Sequence, residues 1–330
     1  MNLEDIGFYT LSNDRAKNSS VESPMWRCEL ILTGRCNFKC PYCRGLKNPE
    51  DIPMKSALFV LNQWISEGLK NVRFSGGEPT LYQRLDDLVR FCVFRKLKRI
   101  AVSTNGYSDP ELYRYLYRCG VNDFSISLDA CCSMDAKKMS GGVDCADKVL
   151  DNIKMLSKLT YVSVGVVLTD ENMTQAVDVI KLADSLGVSD IRVIPAAQEN
   201  GIWTDNGLID NDILERHPIL KYRINNFRSG FNVRGLRDTD CGKCRLIMDD
   251  SVVCGEYHYP CVIYMREGGS PIGKIGKNMR QERIDWMNRT DTHKEVICKN
   301  NCLDVCRQYN NYSDKLARDT HDKTDPAGSN

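Results

Sequence analysis

The chain has 330 residues, with 45 basic and 44 acidic side chains and a net charge of +1. This near-balance gives no reason to expect a nucleic acid or an anionic membrane as a partner. No apolar run reaches the roughly 18–20 residues that a membrane span requires, and the polar amino terminus does not resemble a signal peptide, so we expect a cytoplasmic protein.

Between residues 26 and 200 the sequence alternates between short apolar runs, typical of buried parallel strands, and segments of helical period. The predicted strands are Cys28–Thr33, Asn71–Ser75, Arg99–Thr104, Asp123–Leu128, Thr160–Leu168 and Asp190–Ile194. The predicted helices are Ser56–Gly68, Tyr82–Lys96, Asp109–Cys119, Val143–Lys158 and Asn172–Leu186. Six successive βα units predict an α/β fold, a partial (β/α)6 barrel of the TIM type. In such folds the chemistry gathers at the C-terminal ends of the strands.

Composition divides the chain into five segments. Residues 1–25 form a polar lead to the α/β core of residues 26–200, and residues 201–237 are predicted to be linker helices. Residues 238–312 form a small cysteine-rich domain with little regular period, which a bound metal would help to fold. Residues 313–330 are polar and nearly free of large apolar groups, which predicts a disordered tail.

The first of the three cysteine groups follows the first strand directly. Cys36, Cys40 and Cys43 have C-x3-C-x2-C spacing, and clustered cysteines in a chain without a leader indicate metal binding or catalysis rather than disulfides. Three thiolates can hold three irons of a [4Fe–4S] cluster, which leaves one iron open to a small molecule. The alternatives are a zinc site or three buried thiols, although zinc usually takes four protein ligands. Tyr42 precedes Cys43 and is a candidate to cover the cluster or a bound ring.

A second motif ends the second strand, where Gly76 and Gly77 are followed by Glu78 and Pro79. Paired glycines allow the backbone to approach a ligand closely. Glu78 offers a carboxylate, and Pro79 stiffens the chain beyond it. A ligand ammonium group fits such a turn, and an ordinary βα turn is the alternative.

Together, the cysteine loop and the GGEP motif resemble the radical S-adenosylmethionine (radical SAM) enzymes over roughly residues 26–200. The resemblance implies that the open iron chelates the amino and carboxylate groups of SAM. It further implies that one electron cleaves SAM to a 5′-deoxyadenosyl radical, which takes a hydrogen atom from the substrate. A flavodoxin- or ferredoxin-type electron donor is implied as well. The cofactor supplies the difficult step, while the protein supplies position and excludes water.

Polar groups at the ends of the next strands are candidate SAM contacts. Thr104 and Asn105 follow the third strand and offer groups for the SAM carboxylate or ribose. Ser125, Ser127 and Asp129 share one face of the fourth strand by alternation. This stretch is similar to the SxSLD stretch of the larger family members, whose serine contacts SAM.

Two adjacent cysteines follow the fourth strand. Cys131 and Cys132 lie at the mouth of the predicted barrel, where a thiol can return a hydrogen atom to a substrate radical. They are the candidates for catalytic residues, and the alternative for each is a small apolar loop residue.

The later cysteines resemble the auxiliary-cluster extensions called SPASM and twitch domains, and also the second cluster site of the molybdenum-cofactor cyclase that acts on GTP. That resemblance implies at least one auxiliary [4Fe–4S] cluster, with zinc ligation as the alternative. The first-choice ligands are Cys241, Cys244 and Cys261, and the fourth comes from Cys298, Cys302 or Cys306.

Three functional hypotheses follow. The first is a radical SAM enzyme that modifies a ribosomally made peptide or protein, because SPASM-type extensions often accompany such substrates. The second is a radical SAM enzyme that acts on a small molecule, such as a nucleotide, sugar or amino-acid derivative. The third is a non-enzymatic metal-binding interaction module, against which the GGEP motif beside the cysteine loop argues.

Overall fold

The computed structural model describes residues 12–46, 50–197 and 203–321. The strands of these residues are β1 (Arg27–Thr33), β2 (Asn71–Gly76), β3 (Arg99–Thr104), β4 (Asp123–Ser127), β5 (Tyr161–Leu168), β6 (Asp190–Pro195), β7 (Asp250–Cys254), β8 (Tyr257–Tyr259) and β9 (Gly273–Lys274). The first helices are α1 (Asn13–Lys17), α2 (Met54–Ser66), α3 (Leu85–Phe94), α4 (Pro110–Cys119), α5 (Ser133–Met139), α6 (Ala146–Ser157) and α7 (Ala176–Ser185). They are followed by α8 (Asn211–Arg216), α9 (Pro218–Arg228), α10 (Val262–Arg266), α11 (Met279–Arg289), α12 (Val296–Asn301) and α13 (Asp304–His321). Within these described ranges, no helix combines the length and the apolar composition that crossing a bilayer requires.

The described strands form one sheet in the order β6-β5-β4-β3-β2-β1-β7-β8-β9. Strands β1 to β6 each pair in parallel with their neighbour in sequence, as βα units require. All six predicted strands are present with bounds that differ by at most one residue. The prediction of an α/β fold with a parallel sheet, arranged as a partial barrel of the TIM type, is confirmed.

Alternation along the strands separates an apolar outer face from a polar inner face. On β2, Val72 and Phe74 belong to the core beneath the helices, whereas Arg73 and Ser75 line an inner cavity. The same period of two repeats on β6, where Ile191 is in the core and Arg192 lines the cavity. Because successive side chains of a strand point to opposite faces, the helices cover one face while the other is left for polar groups.

The C-terminal region extends the same sheet. Strand β7 pairs in parallel with β1, from Arg27 opposite Asp250 to Ile31 opposite Cys254. Strands β8 and β9 then continue the sheet in antiparallel fashion. The sequence predicted little regular structure in residues 238–312, because its strands are runs of two to five residues, too short to show a period. The eleven-residue helix α11 was missed as well.

The predicted disordered tail is helical up to His321, since α13 runs from Asp304 to that residue; residues 322–330 lie outside the described residues. The hydroxyl of Tyr309, which is 1% exposed, donates to Asp249 at 2.5 Å. Asp249 also forms a buried ion pair with Arg15 of α1. Val305, Tyr309 and Tyr312 recur at spacings of four and three along α13, which gives the helix a face to bury.

Candidate functional site

The three cysteines of the first group lie in the loop after β1, and all of them line a cavity of about 570 Å³ at the C-terminal ends of the strands. Burial and, after it, the charges of Asp129, Cys43 and Cys36 raise the pKa of Cys40 to about 12, against a hydrogen bond from Tyr42 that lowers it. Burial is also the largest cause of the raised pKa of Cys36, on which Cys43 acts as well. The thiols are thus close enough to act on one another, and binding a metal group would release their protons.

Two backbone contacts dock the cysteine loop on the GGEP turn. The amide of Gly77 donates to the carbonyl of Thr33 at 2.7 Å, and the amide of Glu78 donates to that of Arg35 at 2.8 Å. A Cβ atom on Gly77 would overlap the Arg35 carbonyl. The paired glycines therefore allow two backbone segments to meet, which fixes where the loop leaves the sheet.

Replacing Gly77 by alanine should displace the cysteine loop, because the added Cβ meets rigid backbone. We expect a loss of about 1–3 kcal/mol in the free energy of unfolding and a lower iron content after reconstitution. Urea unfolding and iron analysis would measure the two effects. The matched control is Gly276→Ala, whose Cβ would lie 3.9 Å from its nearest neighbour, the carbonyl oxygen of Lys274. Equal stability and iron content in the two variants would contradict the docking role of Gly77.

Glu78 is fully buried, and its carboxylate is hydrogen-bonded to residues at the end of β3. Its carboxylate accepts hydrogen bonds from the Thr104 hydroxyl at 2.8 Å, from the Asn105 amide at 2.8 Å and from the Thr80 hydroxyl at 2.7 Å. Burial raises the pKa of Glu78 in spite of these bonds. Thr104 and Asn105 line the cavity, whereas neither Glu78 nor Pro79 is among its described lining residues. The structure thus places Glu78 behind the site, where it orients Thr104 and Asn105.

The end of β4 supplies three polar side chains to the cavity, those of Ser125, Ser127 and Asp129. Asp129 accepts a hydrogen bond from the Tyr42 hydroxyl at 2.5 Å and another from the Val167 amide at 2.7 Å. Burial raises the pKa of Asp129 to about 6 against the effect of these bonds. Tyr42 thereby ties the cysteine loop to β4.

The two adjacent cysteines after β4 have different surroundings. Cys131 lines the cavity, and its thiol lies 3.5 Å from the side-chain oxygen of Gln175. Cys132 is exposed, and its thiol donates to Asp135 at 2.9 Å. Only Cys131 of this pair is among the described residues that face the cavity.

Arginines inside the cavity were missed by the sequence reasoning. Seven arginines and three carboxylates are among its described lining residues. Arg27 of β1 pairs with Asp250 of β7 at 2.6 Å, and Arg73 of β2 donates to Ser103 at 3.1 Å. The signal was present, because a charged residue in the middle of a buried strand requires a polar interior.

Five of the later cysteines lie close together. The charge of Cys306 raises the pKa of Cys244, and the charge of Cys244 raises the pKa values of Cys261 and Cys298. A hydrogen bond joins the side chains of Cys302 and Cys306. Burial is the main cause for Cys244, whose pKa is raised to about 11. Cys261 and Cys306 also line the cavity.

Cys241 has different neighbours. Its sulfur accepts a hydrogen bond from the Lys243 amide at 3.3 Å. Burial is the largest cause of its raised pKa, and the side chains that act on it most strongly are those of Asp314 and Arg245. The structure therefore brings Cys244 into the group of five thiols, whereas the strongest interactions of Cys241 are with Lys243, Asp314 and Arg245.

The donor sets fit iron–sulfur chemistry, since three thiols share one loop and five thiols share a second position. Within the part of the chain that the structure describes, no three cysteine, histidine or carboxylate side chains converge to hold a single metal ion. The fit therefore rests on thiol chemistry and on the cavity that Cys36, Cys40 and Cys43 share.

Residues 30–183 match the model of the radical SAM superfamily. This chain carries a radical SAM domain. The cysteine loop, the GGEP turn and the end of β4 all lie inside the matched range. The prediction of a radical SAM domain in this part of the chain is confirmed.

Curated relatives of this chain include probable GTP 3′,8-cyclase from Saccharolobus solfataricus, 31% identical over 176 residues, which are 52% of this chain and 57% of the relative. GTP 3′,8-cyclase from Aliarcobacter butzleri is 33% identical over 135 residues, which are 39% of this chain and 42% of the relative. The chain thus spans about half the length of the curated relatives that it matches.

Solved structures share the fold over a longer range. One is anSMEcpe with bound AdoMet and the Cp18Cys peptide, with a TM-score of 0.55, 19% identity and coverage of 91% of this chain and 97% of that chain. Another is SuiB from Streptococcus suis bound to the precursor peptide SuiA, with a TM-score of 0.57, 16% identity and coverage of 82% and 67%. At these identities the likeness shows the fold.

Proposed function

We propose that Cys36, Cys40 and Cys43 bind a [4Fe–4S] cluster, with which this protein cleaves SAM reductively to a 5′-deoxyadenosyl radical that removes a hydrogen atom from a substrate. The observation that carries the proposal is that these three thiols and the polar end of β4 line one cavity. When bound, the cluster supplies an electron and an open coordination position for SAM.

The residues of the chain position and enclose the reactants. Gly76 and Gly77 fix the cysteine loop, and Asn105, Ser125 and Ser127 offer polar groups to SAM from the ends of β3 and β4. Apolar side chains from α5 and α6 complete the wall; they include Met139, Val149 and Leu150. Such a wall excludes water, which would otherwise screen the interactions of the site.

We further propose that the C-terminal cysteines hold one auxiliary [4Fe–4S] cluster. The five grouped thiols are more than the four that a cubane requires. Because Cys261 and Cys306 line the same cavity as the first cysteine loop, this cluster would lie beside the substrate.

For the substrate, the first candidate is a peptide or protein. It is supported by the likeness to anSMEcpe and SuiB, whose structures contain peptides and whose fold this chain shares beyond the radical SAM domain. The second candidate is a small molecule. It is supported by the sequence relatives named GTP 3′,8-cyclase and by a cavity of about 570 Å³, a size common among small-molecule sites. A flavodoxin- or ferredoxin-type donor in the cytoplasm would supply the electron in either case.

Anaerobic reconstitution followed by reduction in the presence of SAM tests the proposal. We expect a brown protein with iron and sulfide bound, and 5′-deoxyadenosine detectable by mass spectrometry. Iron-replete protein that forms no 5′-deoxyadenosine would contradict the proposed reaction. Protein that contains zinc alone would favour a non-enzymatic binding module. Adding GTP to the same assay separates the substrate candidates, since a new product of GTP would favour the small molecule.

A further inference from the structure

Arg234 is a buried cation without a paired anion. It is 5% exposed, yet its side chain lines the cavity. Its Nε and Nη1 atoms have no hydrogen-bond partner, and Nη2 lies 3.5 Å from the carbonyl of Pro195. Among the residues that the structure describes, no carboxylate forms an ion pair with it.

The neighbouring arginines are already paired. Arg223 forms an ion pair with Asp304 at 2.5 Å, and Arg44 forms one with Glu267. Burial, followed by the charges of Arg44 and Arg223, lowers the pKa of Arg234 to about 10. The paired neighbours therefore add positive potential around Arg234 without satisfying its guanidinium group.

An unpaired guanidinium in a buried position destabilises the folded protein, because charge is removed from water without compensation. Buried polar groups are nearly always hydrogen-bonded, so an exception inside a cavity indicates a bound partner. A planar guanidinium matches the two oxygens of a carboxylate or a phosphate.

The backbone places Arg234 between the sheet and the later cysteines. It forms a bridge with Leu303, and the amide of Gly235 donates to the carbonyl of Cys302 at 3.0 Å. On its other side, Pro195 ends β6. An anion held here would lie between the end of β6 and the five grouped thiols.

We propose that Arg234 binds an anionic group of the substrate, either a carboxylate or a phosphate. This inference rests on the proposed function, because it assigns part of the same cavity to the substrate. The substrate would then carry a negative charge, either on a carboxylate of a peptide or on the phosphate of a small molecule.

Thermal unfolding of the reconstituted, SAM-saturated protein tests this proposal. Inorganic phosphate and glutarate, as separate probes, are titrated at constant ionic strength. At least one of them should raise the unfolding midpoint of the wild-type protein, because a ligand of the folded state stabilises it. Arg234→Met should raise the apparent Kd of that anion at least about 10-fold. The apparent Kd of Arg234→Lys should lie between those of the wild type and Arg234→Met. The control Arg84→Met removes the same charge from a side chain that is 59% exposed and should bind as the wild type does.

Stability without added anion gives a second measurement. Arg234→Met should raise the unfolding midpoint by about 2 °C or more, because it replaces an uncompensated buried charge by an apolar group of similar length. A lower midpoint, or a variant that fails to fold, would overturn the proposal, because Arg234 would then serve the structure.

Binding that is equal in wild type and Arg234→Met would also overturn the proposal, as would binding that SAM displaces. A larger shift with glutarate supports the proposal with a carboxylate substrate, and a larger shift with phosphate supports it with a phosphorylated one. The measurement does not require SAM cleavage. Absence of 5′-deoxyadenosine would therefore contradict the proposed function, whereas absence of anion binding would contradict only the role of Arg234.

Discussion

Replacing Cys40 by alanine should abolish the formation of 5′-deoxyadenosine and remove about four iron atoms per chain. Cys40 lines the cavity, and its thiol is acted on by both Cys43 and Cys36. The proposed cluster has only three protein ligands, and the two that remain in the variant cannot hold it. Without the cluster, the protein has neither an electron source nor an open coordination position for SAM. Iron and sulfide analysis together with mass spectrometry of the SAM products would measure both losses.

Cys119→Ala is the matched control for this variant. Cys119 is a buried cysteine at the last residue of α4, which leads to the opposite end of the sheet from the cysteine loop. We expect it to keep the wild-type iron content and the wild-type rate. If Cys40→Ala retained 5′-deoxyadenosine at the level of Cys119→Ala, the assignment of the first cysteine group would be wrong.

Local patterns were enough to predict the parallel strands and the cysteine loop. A strand such as Arg99–Thr104 was predicted with its exact bounds because its apolar run is set within six residues. The C-x3-C-x2-C loop was recognised because its three cysteines are neighbours in sequence. The GGEP turn was also recognised, but its contact with Thr33 and Arg35 was not, since that contact joins segments more than 40 residues apart.

Features that depend on distant pairing could not be predicted in this way. Strand β7 has five residues and acquires its place only by pairing with β1, which lies more than 200 residues earlier. Arg234 lies in a segment without period, and its contacts with Pro195 and Leu303 join segments that are distant in sequence. The grouping of the later cysteines has the same origin, because it is set by packing and not by the C-x2-C spacing.

The C-x2-C pair of the C-terminal region gives the sharpest test of that grouping. From the C-x2-C spacing alone, Cys241 and Cys244 are predicted to be equivalent ligands. In the structure, Cys244 acts on Cys261, Cys298 and Cys302, whereas Cys241 contacts Lys243 and is acted on by Asp314. If four of the five grouped thiols ligate the auxiliary cluster, Cys241 is not required.

Cys244 interacts with all four of the other grouped thiols, so we infer that it is one of the four ligands. We therefore expect Cys244→Ala to lose about four iron atoms per chain and all product formation, while it still forms 5′-deoxyadenosine. SAM cleavage persists because the first cysteine group belongs to a different loop. Cys241→Ala, three residues away, should keep both clusters and form product. Iron analysis, electron paramagnetic resonance of the reduced protein and 5′-deoxyadenosine assays on the two variants would measure these differences. Equal iron loss in both would place Cys241 among the ligands, and loss of SAM cleavage in Cys244→Ala would contradict the separation of the two centres.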